Sequence, residues 1–398
     1  MKFAKRIETL PPYLFAEIDK KKQAAIQKGV DIISMGIGDP DKPTPKNILL
    51  AMHKAVDDPT THNYPPYHGT KDFREAACKW IEKRFGVKFD AEKECLSLIG
   101  SKEAIHNCIF ACVDRGDLAL LPDPAYPVYK TSTLLSGGES YLMPLLKENG
   151  FLPDLTKIPS DIAKRANIII VSYPNNPTGA IAEVEFYNEL IEFAKKYDII
   201  VLSDNPYSEM TFDGYEAPSI FNAKGAKDIA LEFHSHSKTY NMTGWRVGFA
   251  IGNEKIVKAL STIKTNIDSG VFKAIQRAGV EAFNTPKNVL DEIRNRYKER
   301  RDVMTEGLRS LGWEIKESIK ATFYMWLPIP PSYKKSTDFA TDMLEKCGIV
   351  VPPGVGYGQY GEGYFRIALT IEKEKMADVI SRMKKHGMIF NKQACSVQ

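Results

Sequence analysis

From residue 48 onward the chain alternates between two hydrophobic rhythms. Apolar residues recurring every three or four positions over 48–56 and 73–85 predict amphipathic helices with one face to a core. Short, nearly uninterrupted apolar runs at 95–99, 118–121, 168–172, 199–203, 229–233 and 247–251 predict strands buried on both faces. Helix-like segments separate most of these runs, so the expected architecture is α/β, a mostly parallel sheet covered by helices. After a helical segment at 271–283, residues 286–311 predict one long amphipathic helix that stops at Gly312. A strand at 323–327, a helix near 337–346, an extended glycine-rich stretch over 349–363, a strand at 364–369 and a last helix predict a smaller α/β unit. The first 35 residues join a Pro-Pro-Tyr segment to a helical stretch, 14–28, ending at Gly29; an extended arm leading into a helix is expected, with Tyr13 at the junction. The expected divisions are an N-terminal arm, 1–45, packed with the smaller unit, a large domain, 46–285, and a small C-terminal α/β domain, 286–398.

Composition narrows the picture without redirecting it. A chain of 398 residues, 43% hydrophobic and 26% charged, can enclose two or three cores. Its 54 basic and 50 acidic residues leave +4, too small and too dispersed an excess for a nucleic-acid surface. The densest basic run, 294–301, is interleaved with Tyr297 and Glu299 at helical spacing and is expected to be a solvated helix face. The six cysteines form no CxxC pair and have no histidine companions at metal-ligand spacing, so they are expected to be reduced thiols, with no metal. No signal peptide is expected at the N-terminus, and no window approaches the ~18 apolar residues of a membrane span. The expected compartment is the cytoplasm.

The candidate chemistry gathers where apolar runs end, and strand ends are where ligands collect in open α/β sheets. The run ending at Phe233 delivers Ser235, Ser237 and Lys238 onto a loop, and Arg246 precedes the next run. A lysine flanked by hydroxyls and followed by an arginine suits an amine that forms a Schiff base beside a bound phosphate. A solvated lysine near a structural arginine is the plainer alternative. At Gly100-Ser101-Lys102 a strand is expected to give way to a helix, whose free N–H groups suit either a phosphate or an ordinary cap. Gly36 and Gly38, followed by Pro40, Pro43 and Pro45, mark a loop whose backbone can be approached closely. Asn176, in the string NNPTGA, offers an amide to a ligand oxygen or else belongs to a plain turn. Asp204 ends an apolar run three residues before Tyr207. A carboxylate there needs a partner, either a protonated pyridine nitrogen or the N–H groups of a following turn. Tyr126 offers a ring to a flat aromatic ligand or to the core. Arg366, set among apolar residues, needs an anion, from a structural carboxylate or from a substrate. One ligand would engage all these groups together: pyridoxal 5′-phosphate.

The order of these strings resembles a known family. NPTG, then D-x-x-Y, then S-x-S-K with an arginine eight residues after the lysine, and a late F-R-I-A are similar to the class I and II aminotransferases among the fold-type I pyridoxal-phosphate enzymes. The likeness covers nearly the whole chain. Within that family, AKRIETLPPYLFAEID, SMGIGDPDKPTP, LIGSKEAI, YPNNPTGA, FHSHSKTYNMTGWRVG and NIDSGVF most resemble the LL-diaminopimelate aminotransferases.

The resemblance implies an aspartate-aminotransferase-like fold and a homodimer with composite active sites. It makes Lys238 the lysine that binds the cofactor and carries the proton, and Asp204 the partner of the pyridine nitrogen. Asn176 and Tyr207 would hold the phenolic oxygen, with Tyr126 stacked on the ring. Ser101, Lys102, Ser235, Ser237 and Arg246 would surround the phosphate, with Tyr64 reaching it from the neighbouring subunit. Arg366 would clamp the substrate α-carboxylate with the Gly38 backbone and Asn176, while Tyr13 and Lys102 lie near the substrate. The implied reaction converts LL-2,6-diaminopimelate and 2-oxoglutarate to tetrahydrodipicolinate and glutamate, in lysine biosynthesis. An aspartate- or alanine-type or broad-specificity aminotransferase is the alternative. Where relatives place an acidic residue just before the glycine of the Tyr64 segment, this chain has His68, a departure that bears on the substrate and not on the chemistry. A pyridoxal-phosphate-sensing regulator would carry an N-terminal DNA-binding domain, for which no room is expected. A Rossmann dehydrogenase would need a G-x-G-x-x-G after the first strand.

Overall fold

The computed structural model describes residues 1–10 and 14–390, so Tyr13 and Cys395 lie outside the described residues. Its strands are β1 (Ile33–Ser34), β2 (Cys95–Leu98), β3 (Leu118–Asp123), β4 (Glu139–Pro144), β5 (Ala166–Val171), β6 (Ile200–Asp204), β7 (Ala230–Ser235), β8 (Gly248–Gly252), β9 (Tyr324–Pro328), β10 (Ile349–Val350) and β11 (Tyr364–Ala368). Seven form a central sheet in the order β2-β8-β7-β6-β5-β3-β4. Neighbours run parallel except at β8, which is antiparallel to both β2 and β7. The apolar runs therefore became the expected mostly parallel sheet. Strand β4 has no such run: it lies at the sheet's edge, with only Met143 fully buried, and lacks the signature of a central strand.

Side chains alternate across the sheet, and each face feeds its own core. Leu118, Leu120, Ile169, Val171 and Val201 pack with the helices Lys71–Phe85, Val184–Tyr197 and Lys273–Phe283. On the other face, Ala119, Leu121, Ile168, Ile170 and Leu202 pack with Ser101–Cys112 and Glu254–Ile267. A third core is built on the antiparallel pair β9 and β11. It draws Ile293, Tyr297, Met304 and Leu308 from the long helix Lys287–Ser310, and it also takes in Ile33 and Met35 beside β1, which pairs in parallel with β10. Tyr207 and Met210 enter this core from the far end of β6, so one hydrophobic cluster joins the central sheet to the later elements.

Three expectations are corrected. Residues Lys5–Thr9 form a short helix, not an extended arm. The stretch 349–363 is not extended beyond β10 but folds into the turns Gly354–Tyr357 and Gln359–Gly361, and Gly358 takes φ 137°, which favours glycine. The basic run is not a solvated face throughout. Arg294, Arg296 and Lys298 do pair within the helix at three- or four-residue spacing. Arg300 and Arg301, however, are 1% and 2% exposed. Arg300 forks onto Asp41 at 2.7 and 2.6 Å, and Arg301 donates to Asp213 at 2.5 Å. Carboxylates from distant segments supply what helical periodicity could not reveal.

Candidate active site

The parallel strands end along one edge of the central sheet, and the candidate side chains collect there. Asp204 closes β6 and Ser235 closes β7; Tyr126 lies just past β3 and Asn176 just past β5. Helix Ser101–Cys112 starts three residues beyond the end of β2, with Gly100 as its N-cap in a left-handed conformation, φ 101°. That φ favours glycine, and a Cβ on Gly100 would sit 2.5 Å from Arg246 Nη2, so the guanidinium would have to move. The Arg246 guanidinium thus lies against the start of the helix, anchored by Nη1 donating to the Thr243 carbonyl at 2.9 Å. A cation beside free helix N–H groups makes a place for an anion. Ser237 donates its N–H to Ser235 Oγ at 3.2 Å, holding the turn that presents Lys238.

Lys238 Nζ donates to the Gly38 carbonyl at 2.7 Å and sits 5.7 Å from the centre of the Phe323 ring. Burial lowers its pKa, the Arg366 and Arg246 charges push the same way, and Tyr324 and Asp39 oppose them. Asp204 is buried, with Oδ2 accepting from the Tyr129 hydroxyl at 2.7 Å and Oδ1 finding no hydrogen-bond partner among the described residues. Desolvation pushes its pKa up to about 6, against the lowering effects of Tyr129, His234 and the nearby Ser101 hydroxyl, which does not itself reach Oδ1 in a hydrogen bond. Tyr207 is also buried, and burial followed by the neighbouring Tyr324 raises its pKa, so its hydroxyl keeps its proton.

Arg366, 1% exposed, donates from Nη1 to Asn176 Oδ1 at 2.8 Å and from Nη2 to the Gly36 carbonyl at 2.6 Å. Its guanidinium stacks 4.1 Å from the centre of the Tyr324 ring. The strap from Gly36 to Thr44 is pinned on both sides. Thr370 Oγ1 donates to the Ile37 carbonyl at 2.8 Å and Arg300 holds Asp41, while Thr243 Oγ1 donates to Asp39 and Thr44 Oγ1 to the Asn241 carbonyl, at 2.5 and 2.8 Å. Lys102 Nζ lies 6.0 Å from the centre of the half-buried Tyr126 ring. Tyr64, by contrast, is 84% exposed on a proline-rich loop, and His68 is exposed beside it, with its carbonyl accepting from Ser97 N at 3.0 Å.

Pyridoxal phosphate fits this arrangement on observations of the chain itself. An unpartnered carboxylate oxygen lies on a buried floor, an anion cradle is formed by Gly100, Ser101 and Arg246, and a buried amine has its charge disfavoured. Two further residues meet the candidate groups although the sequence patterns do not single them out. Tyr129, which holds Asp204, lies three residues after Tyr126 in the first turn of helix Val128–Ser136, and that helical spacing was the available signal. Tyr324 was hidden inside the apolar run FYMWL, where only the two-residue period of β9 places it on the same face as its diagonal neighbour Arg366.

A carboxylate for a ring nitrogen, a lysine at its strand end and an arginine fork for a carboxylate are the equipment of an enzyme that exchanges amino groups. The chain belongs to the family described as aminotransferase class I and II, which it matches over residues 30–383, and it is a pyridoxal-phosphate-dependent transaminase. It is 57% identical, over 98% of its own length and 100% of the relative's, to the protein of Trichormus variabilis named LL-diaminopimelate aminotransferase 2. Among solved structures, apo BacF from Bacillus subtilis superposes with a TM-score of 0.94 at 33% identity, covering 98% of this chain and 100% of that one. A single mutant of the aspartate aminotransferase of Thermus thermophilus gives a TM-score of 0.90 at 25% identity, covering 97% and 100%. The fold is aspartate-aminotransferase-like.

Proposed function

We propose that this transaminase takes LL-2,6-diaminopimelate as amino donor and 2-oxoglutarate as acceptor. The keto product cyclises to tetrahydrodipicolinate and the other product is glutamate, a step of lysine biosynthesis. The observation that carries the reading is the 57% identity along the full chain to a relative of that name. An aspartate- or alanine-type donor is the competing assignment, and His68 in the Tyr64 segment is the residue that keeps it in play.

When bound, pyridoxal phosphate supplies an electron sink for the pair released at the amino acid's Cα. Lys238 anchors it and takes the Cα proton, a task suited to an amine whose charged form is disfavoured by burial. Asp204 Oδ1, without a partner among the described residues, would be the group to hold a protonated ring nitrogen, while Tyr129 donates to the other carboxylate oxygen. Ser101, Lys102, Ser235, Ser237 and Arg246 would bind the phosphate, Tyr126 would offer its ring to the pyridine, and Asn176 and Tyr207 would hold the phenolic oxygen. Arg366 would receive the substrate α-carboxylate, its fork aligned by Asn176 and the Gly36 carbonyl, with Asn176 and the Gly38 backbone assisting the clamp. Lys102 and Tyr13 attend the distal end of the substrate.

The active unit is a homodimer in which Tyr64 of a second copy completes the phosphate site; its 84% exposure supports a contact outside its own chain. The division into an arm, 1–45, a large domain, 46–285, and a small domain, 286–398, is supported by the third core, which unites Ile33 and Met35 with residues 293–388. The cytoplasm suits such a biosynthetic enzyme, and among the described residues no helix is long and apolar enough to cross a membrane.

The deciding experiment presents a panel of amino donors with 2-oxoglutarate and measures glutamate formed. LL-2,6-diaminopimelate should exceed aspartate and alanine in kcat/KM. A preference for either of those would replace the substrate while leaving the transaminase chemistry intact.

A further inference from the structure

We propose that Tyr324 is a positioning residue of the active site, whose hydroxyl sets Tyr207 toward the cofactor while its ring orients Arg366. The inference rests on the reading that Tyr207 serves the cofactor and Arg366 the substrate.

Tyr324 opens β9 and pairs with Ala368, so it shares a face of the two-stranded sheet with its diagonal neighbour Arg366. It is 3% exposed, and each part of its side chain meets a different member of the site. Its ring centre lies 4.1 Å from the Arg366 guanidinium carbon, a cation–π contact that restricts where the fork can sit. Its hydroxyl is 3.1 Å from the Tyr207 hydroxyl, and the two rings meet edge to face at 5.7 Å. The same hydroxyl lies beneath the strap, where a Cβ on Gly38 would come within 1.8 Å of it. Gly38 in turn accepts from Lys238 Nζ. A buried phenol in an all-apolar setting needs only one partner, yet this one touches both sides of the site and the strap over the amine. The small unit, through β9, thereby reaches the last turn of the central sheet at Tyr207.

The electrostatic consequence has a direction. Either hydroxyl of the pair can donate, but once Tyr207 gives its single proton to the cofactor's phenolic oxygen the Tyr324 hydroxyl is left to donate to Tyr207, which polarises it and makes it the better donor. That donor favours negative charge on the oxygen, so it lowers the pH at which the bound chromophore loses its proton. Removing the Tyr324 hydroxyl should raise that pH.

Tyr324→Phe removes the hydroxyl and keeps the ring against Arg366. The expected result is an upward shift, on the order of half a pH unit, in the absorbance midpoint of the bound cofactor. With it should come a loss in kcat/KM on the order of fivefold, carried by kcat, as for one neutral hydrogen bond. In a Tyr207→Phe background the same change should cost less than about twofold, because its effect passes through Tyr207. An unmoved midpoint, equal losses in both backgrounds, or a lowered melting temperature of the cofactor-free variant without a midpoint shift would each reduce Tyr324 to a packing residue. The titration needs only bound cofactor. A wild-type chain that binds it and transaminates nothing would therefore sink the functional reading, while the midpoint still decides the role of Tyr324.

Discussion

Asp204 carries a penalty in the cofactor-free protein that can be measured directly. Its carboxyl is buried at the end of β6 with one oxygen unpartnered among the described residues, and its pKa is pushed up to about 6 from an ordinary 3.8. Below pH 3.8 the group is neutral whether the chain is folded or not, and it contributes nothing. As pH rises from 3.8 to about 6, the unfolded chain releases the proton first, and stability is lost. Above that window the full penalty holds, the difference between the two values multiplied by about 1.4 kcal/mol per pH unit, or about 3 kcal/mol. Asparagine keeps the shape and an acceptor for the Tyr129 hydroxyl but never ionises. Cofactor-free Asp204→Asn should therefore be more stable than wild type by about 3 kcal/mol at pH 8 and by about half that at pH 5, read from urea unfolding midpoints. With saturating pyridoxal phosphate the order should reverse, because the variant cannot hold a protonated ring nitrogen and gains less from binding. A variant equal to wild type at pH 8, or a difference that ignores pH, would show that the carboxylate is solvated or partnered and would refute the argument.

Other outcomes test the surrounding architecture. Gly100→Ala puts a Cβ 2.5 Å from Arg246 Nη2 at φ 101°, and should weaken cofactor binding by on the order of tenfold or more, measured by absorbance titration. Unchanged affinity would remove Arg246 from the phosphate site. Arg300→Met strips Asp41 of its bidentate partner and loosens the strap; unfolding should show a loss of about 3 kcal/mol, the lower end for a buried pair because Asp41 keeps some contact with water. Mixing inactive Tyr64→Phe and Lys238→Ala chains should restore part of the activity in heterodimers, and no recovery despite proven subunit exchange would argue against composite sites.

How much of this was legible before folding depends on the range of the physics involved. Apolar runs such as 168–172 and 199–203 specify buried strands because burial on both faces is a local requirement, and they became β5 and β6 within a residue or two. Ser101, Asn176, Asp204 and Lys238 could be placed near strand ends from their sequence neighbours alone, and the structure puts them there. Edge strand β4 escaped because half-buried residues carry no such pattern. Partnerships across the chain were out of reach. Nothing near Arg300 in sequence announces Asp41, 259 positions away, and nothing near Tyr207 announces Tyr324, 117 positions away. A run of basic residues at helical spacing looks solvated until another segment brings a carboxylate, and a tyrosine in an apolar strand looks like core until another strand brings an arginine. Hydrophobic periodicity is a property of consecutive residues, whereas the pairing of buried polar groups is settled only when distant segments meet, since each must find there the hydrogen bonds that water no longer supplies.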